Sequence, residues 1–156
     1  MKSAIAAVLA AALSACGYDP GGDVDEYIAA AERARRTGQT VRIVGGCDSA
    51  CIIKLGSGKV CVSPYASFGV HEARIIRGKQ LYAEGIRSEE GTQKMRAAIP
   101  TCARRLFDSA GAFDTPHIIG FGGDELLAAC AGILTRCENP LAVLDWLVSK
   151  TRTPDG

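Results

Sequence analysis

The alternation of short β-branched runs, glycine turns and an apolar segment between residues 40 and 71 constrains this chain most. The run TVRIV at 40–44 reads as a strand. The Gly45-Gly46 turn leads into an apolar helix expected over 49–55, and GSG at 56–58 breaks it. KVCV at 59–62 predicts a second strand. Pro64 turns the chain, and SFGVH at 67–71 predicts a third. Ahead of them, Asp23 reads as a helix N-cap with Glu26 as its capping-box partner. Val24, Tyr27, Ile28 and Ala31 then form one apolar face, and Gly38 stops the helix. The order helix, strand, helix, strand, strand with short links predicts an α/β domain: helices packed on a short, mostly parallel sheet.

The second half reads as mainly helical. Residues 74–86 are polar and irregular and are expected to form a loop. Helices are expected over 89–98, from Pro100 to a stop at Gly111, from Asp124 to Gly132, and after Asn139-Pro140. GAFDTPHIIGFGG is a loop with one extended piece. Glu32, Arg33, Arg35 and Arg36 read as a solvated helix face, and Arg104-Arg105 likewise. A chain of 156 residues with a net charge of +1 suits one domain and points to no nucleic-acid partner.

Residues 1–16 have the pattern of an export signal. Met1-Lys2 is a basic start, the small apolar stretch that follows is too short to span a bilayer, and LSAC ends it at Cys16. That ending resembles a bacterial lipobox, which implies lipidation of Cys16 and a membrane anchor. Gly17, rather than an aspartate, follows, and by the same resemblance this favours the outer membrane as seen from the periplasm. Cleavage after Ser14 or Ala15, as in an ordinary signal, stays open, as does a start codon placed elsewhere. The expected organisation is a signal with lipobox at 1–16, one domain at 17–150 and a frayed tail at 151–156.

Of seven cysteines, removing Cys16 leaves Cys47, Cys51, Cys61, Cys102, Cys130 and Cys137. An even number in an exported chain reads as a disulfide framework, and six cysteines admit many pairings. Cys102 with Cys130 is the expected pair, both lying on helices of the second half. The other four are expected to tie the Ser49 segment to the following strand and to the Cys137 region. A zinc site has little to stand on, because there is no CxxC pair and the two histidines lack ligand spacing. No metal and no cofactor are expected.

The segment GGCDSACIIKL raises the functional question. A serine before an apolar helix is ordinarily an N-cap, and Asp48 could cap equally well. A serine hydroxyl can also attack a carbonyl, given a base within reach and donors for the oxyanion. Ser49 lies 27 residues beyond Gly22, and His71 lies 22 beyond Ser49. An imidazole with an ordinary pKa of about 6.5 can take the serine proton. A helix start presents free N–H groups to an oxyanion. Alone, His71 reads as a partly buried, satisfied histidine and His117 as a loop residue. Cys47 and Cys51 read as disulfide partners rather than nucleophiles.

Taken together, PGG at 20–22, CDSAC at 47–51, VCVSPYASFGVH at 60–71 and GDELLAACAGILT at 123–135 resemble the Clp protease/crotonase superfamily, specifically its small periplasmic Clp-protease-like members. The resemblance covers residues 20–72 well and the remainder loosely. It implies a crotonase-like layered domain and a serine hydrolase acting on a peptide or protein substrate. Ser49 would be the nucleophile and His71 the base, with an oxyanion hole from the N–H groups of Gly21 or Gly22 and of Ala50. Gly45-Gly46 is the alternative source of that backbone. Asp114 stands nearest to the family's triad aspartate, with Asp108 and Asp124 competing. Glu72, next to His71 in a strand, should point to the other face. Homo-oligomers are common among such relatives. Acyl-CoA chemistry and an ATP-driven unfoldase partner do not suit an exported chain. The relatives enter Pro-Gly-Gly from a buried strand, and only residues 17–19 separate Cys16 from Pro20. Either that strand is missing or the N-terminal stretch supplies it. A non-catalytic lipoprotein scaffold with the same fold is the alternative.

Overall fold

The computed structural model describes residues 17–78 and 85–138. The signal segment, Cys16, the helix expected after Asn139 and the tail at 151–156 lie outside the described residues.

Helix α1, Val24–Thr37, starts where local chemistry predicts. The Asp23 side chain accepts the N–H groups of Asp25 and Glu26, and Gly38 closes the helix at φ 68°. Strands β1 (Val41–Ile43) and β2 (Gly46–Asp48) follow, then a 3₁₀ helix, Ser49–Gly56. Strands β3 (Val60–Val62) and β4 (Ser67–Val70) come next. Beyond them lie the pair β5 (Arg74–Ile75) and β6 (Ile86–Arg87), then helices α2 (Glu89–Ala98) and α3 (Thr101–Ser109). A short 3₁₀ turn at Ala112–Asp114, strand β7 (Ile119–Gly122), helix α4 (Gly123–Ala129) and strand β8 (Thr135–Arg136) complete the described chain.

Six of the eight named strands divide between two three-stranded sheets, and β5 and β6 form a two-stranded one. One has the order β1-β3-β8 and is all parallel; in the other, β2-β4-β7, only β4 and β7 run antiparallel. The fold is therefore α/β, as the alternation predicts, with the sheet split in two.

The 3₁₀ helix is the centre of the core. Ala50, Cys51, Ile52, Ile53 and Leu55 are all buried, so it is apolar nearly all round and packs against α1, α2 and both sheets. Phe68, Met95, Phe107, Phe113 and Leu126 fill the space beyond it. Phe107 packs on Phe121 with ring centroids 4.7 Å apart.

Several expectations are corrected. Residues 74–86 are not loop throughout: β5 and β6 pair antiparallel, Arg74 opposite Arg87 and Ile75 opposite Ile86. Strands of two residues give no periodic pattern to read. Arg35 does more than face solvent, because its guanidinium donates to the Gly56 carbonyl (2.6 Å) at the end of the 3₁₀ helix. Helix α4 stops at Ala129, with Gly132 in the turn beyond.

Three disulfides join Cys47–Cys51, Cys61–Cys137 and Cys102–Cys130. The last is the expected pair. Cys61 does reach Cys137, since β8 lies beside β3 and the Cys137 N–H donates to the Val62 carbonyl. Cys47 and Cys51 are not tied to that region; they close on each other. The turn between them brings their Cα atoms to 5.3 Å, within disulfide reach.

Candidate functional site

Of the expected site residues, Gly21, Ser49 and Ala50 meet where β2 ends. Strand alternation would send Ser49 the way of Cys47, into the core. The backbone prevents this. Ser49 has φ 56°, and among the described residues no other non-glycine residue has positive φ. The left-handed step breaks the alternation, and Ser49 is partly exposed between the buried Cys47 and Ala50. Ser49 is not the N-cap. Asp48 holds that place, and no side chain caps the 3₁₀ helix. The cap explanation of the serine is thereby removed. The Cys47–Cys51 disulfide brackets the turn.

Pro20–Gly22 lies directly against it. Gly21 has φ 79°, and a Cβ there would stand 2.6 Å from the Asp48 carbonyl oxygen, 2.7 Å from the Ser49 Cβ and 2.8 Å from the Ala50 nitrogen. Only glycine allows both the backbone angle and the approach. The Gly21 N–H itself donates to Asp19 Oδ1 at 2.9 Å.

His71 follows directly on the neighbouring strand, β4, which ends at Val70. β2 and β4 are parallel, with Asp48 opposite Gly69. Ser49 and His71 therefore leave adjacent strands, about 4.8 Å apart, at the same end of the sheet. His71 is buried, 4% exposed. Its Nδ1 lies 2.8 Å from the Glu72 carbonyl oxygen. A carbonyl can only accept, so Nδ1 carries the proton and Nε2 is the ring's basic atom when neutral.

The carboxylates lie elsewhere. The Glu72 side chain, buried, pairs with Arg74 and with Arg87 (2.8 Å); the strand expected over 67–71 ends at Val70, so neither His71 nor Glu72 is a strand residue. Asp114 is exposed and pairs with Arg87 at 3.5 Å, while Asp108 pairs with Arg96 at 2.8 Å. The Asp124 N–H donates to the Pro64 carbonyl at the start of α4. Asp114 does stand near the ring's segment, for the Glu72 N–H donates to the Thr115 carbonyl. His117 is exposed on that loop, its N–H donating to Thr115 Oγ1.

A residue that the motif reading passed over, Asp19, is the hub of this end of the molecule. Its N–H donates to the Gly46 carbonyl and its carbonyl accepts from the Asp48 N–H, both at 2.9 Å. Asp19 thereby forms a parallel bridge with Cys47 on β2. Its carboxylate also accepts from Tyr27 Oη and Lys54 Nζ, each at 2.5 Å. Burial pushes the Asp19 carboxyl up, but the bonds from Lys54, Tyr27 and Gly21 together hold it below its ordinary value. Burial and the Asp19 bond push the Tyr27 phenol up to about 12. The signal was present: an aspartate before Pro-Gly is an Asx-turn former. Tyr18 Oη donates to Asp48 Oδ2 at 2.7 Å.

Two cavities, of about 500 and 230 Å³, flank Lys54. The larger is lined by Tyr27, Ala31, Ala34 and Ser57, among others. The smaller is lined by Tyr18, Asp19, Cys47 and Cys51, among others. Neither lining includes Ser49 or His71. Among the described residues no cluster of three or more His, Cys, Asp or Glu could hold a metal ion. Comparison with known proteins found no matching family model, no matching curated protein and no matching solved structure.

Proposed function

We propose that this chain is an exported serine hydrolase of the Clp-protease-like kind, with a crotonase-like fold, acting on peptide bonds. Ser49 Oγ attacks the substrate carbonyl carbon and its proton passes to His71 Nε2. The oxyanion is held by the N–H groups of Gly22 and Ala50, because Asp19 already engages that of Gly21. The imidazolium then protonates the leaving amine. Water, deprotonated by the same nitrogen, releases the acyl group and restores the serine. The Glu72 carbonyl, at 2.8 Å from Nδ1, orients the ring. The three disulfides favour an oxidising compartment, and attachment through Cys16 is part of the same reading.

The observation that carries this reading is the left-handed backbone at Ser49, with Gly21 pressed against it. A serine held at positive φ on a strand-to-helix turn is the geometry of a nucleophile elbow. A fluorophosphonate probe should label the wild type and leave Ser49→Ala unlabelled. Absence of labelling in correctly disulfide-bonded protein would sink the hydrolase.

A second reading is a non-catalytic scaffold or binding protein with the same fold. The burial of His71, and two cavities whose linings do not include Ser49, favour it. The same labelling experiment separates the two.

A further inference from the structure

We propose that Asp19 is a positioning residue of this site, holding Pro20–Gly22 against the Ser49 turn so that the glycine backbone can serve the oxyanion. The inference rests on the hydrolase reading for its purpose and on geometry for its content.

Asp19 is fixed by its own main chain. Two backbone hydrogen bonds seat it on β2 beside Cys47, two residues ahead of Ser49 in the chain. From there its carboxylate collects three donors from three places. The Gly21 N–H comes from the loop, Tyr27 Oη from α1 and Lys54 Nζ from the 3₁₀ helix that begins at Ser49. Lys54 also lies 5.8 Å from the Tyr27 ring centroid, so cation, phenol and carboxylate form one cluster. The carboxylate thus ties the loop to the element whose first residues it faces. The contact it maintains is close: Gly21 approaches Ser49 and Ala50 at distances that leave no room for a methyl group. A small displacement of the loop would move the Gly22 N–H away from the Ala50 N–H. Donors of this kind act only when preorganised.

The chemistry of the cluster agrees. Three donors stabilise an ionised carboxylate against the cost of partial burial, and Asp19 is held charged accordingly. An asparagine could still accept from Gly21 and Tyr27 through its Oδ1, but its Nδ2 amide, a donor, would replace the oxygen that accepts from Lys54, and the half-exposed Lys54 side chain would turn to solvent. An alanine would accept nothing. The two substitutions therefore separate loop-holding from bulk electrostatics.

The test uses the full chain with its disulfides formed. The rate of fluorophosphonate labelling at Ser49 is measured for wild type, Asp19→Asn and Asp19→Ala, together with hydrogen exchange at the Gly21 amide. Asp19→Ala should label about 100-fold more slowly, in the range for loss of an oxyanion donor. Asp19→Asn should stay within about threefold of wild type, because the acceptor for Gly21 remains. Gly21 exchange should quicken in the alanine variant only. If folded Asp19→Ala labels at the wild-type rate with Gly21 still protected, the proposal is wrong. Should the alanine variant not fold, an Asp19→Asn variant that loses both labelling and Gly21 protection overturns it too. Should the wild type itself not label, the hydrolase reading falls. Gly21 exchange then decides alone whether Asp19 holds the loop: faster exchange in the alanine variant supports it, unchanged exchange overturns it.

Discussion

At the scale of single residues, Ser49 is the costly position. A non-glycine residue in the left-handed region sacrifices about 1–2 kcal/mol. Glycine avoids that strain, at a cost of roughly 0.5–1 kcal/mol in unfolded-chain entropy. Ser49→Gly should therefore be more stable than Ser49→Ala, by up to about 1 kcal/mol, or roughly 2–4 °C in thermal midpoint for a domain of this size. Both variants lack the hydroxyl, so the comparison isolates the backbone. Thermal denaturation of the two checks it, and an alanine variant more stable than the glycine variant by about 0.5–1 kcal/mol, the entropic term alone, would show that the turn stores no strain. Strain retained at a hydroxyl is what a reactive site would require, and a structural serine would have no use for it. The sequence made the neighbourhood of this residue legible but not its conformation. Gly45-Gly46, Ser49 and the apolar run mark a strand-to-helix turn by local pattern. That Asp48 and not Ser49 takes the N-cap place depends on one dihedral angle, which no pattern encodes. Asp19 is a harder case. The three donors to its side chain come from positions 21, 27 and 54, and only the first is close enough in sequence to leave a turn signature.

At the scale of elements, legibility follows the range of the interactions that form each piece. Helix α1 is capped by neighbours, Asp23 at one end and Gly38 at the other, and its limits could be read. Helix α2, with Ser88 accepting from the Gly91 N–H, is a similar case. The β5–β6 ribbon is made by pairing across an intervening segment and carries exposed isoleucines, Ile75 and Ile86, opposite each other, so no amphipathic signal marks it. The disulfides divide in the same way. Cys47–Cys51 spans 4 positions, Cys102–Cys130 spans 28 and Cys61–Cys137 spans 76. In the chain-entropy picture, closing such loops stabilises by about 2, 3.6 and 4.5 kcal/mol in that order. All six cysteines but Cys102 are buried, so replacing either extreme pair by alanine removes similar packing. The difference between them then reports mainly the loop. The double variant at 61 and 137 should unfold at a lower urea concentration than the double variant at 47 and 51. The reverse order would mean that the short bridge contributes through the native turn, as a clamp on Ser49, more than through the unfolded chain.

For the whole molecule, the cysteines also bear on where the chain works. Seven are present, and six are bonded to one another in three pairs. Cys16 is the remainder, and it closes the apolar stretch that reads as a lipobox. The even framework downstream of position 16 suits a chain matured where disulfides persist. Among the described residues no helix is long and apolar enough to cross a membrane. The proposed membrane association therefore rests on acyl chains at Cys16, whose insertion is favourable by about 0.8 kcal/mol for each buried methylene. Expressed in a bacterium that processes lipoproteins, the wild type should sediment with the membrane fraction and Cys16→Ser should move to the soluble fraction. The three disulfides should form in both, since none of them uses position 16, so thiol counting separates a lost anchor from a misfolded domain. A Cys16→Ser variant that keeps its disulfides and still sediments with membranes would remove the anchor from the proposal, leaving ordinary cleavage after Ser14 or Ala15 as the reading of the N-terminal segment.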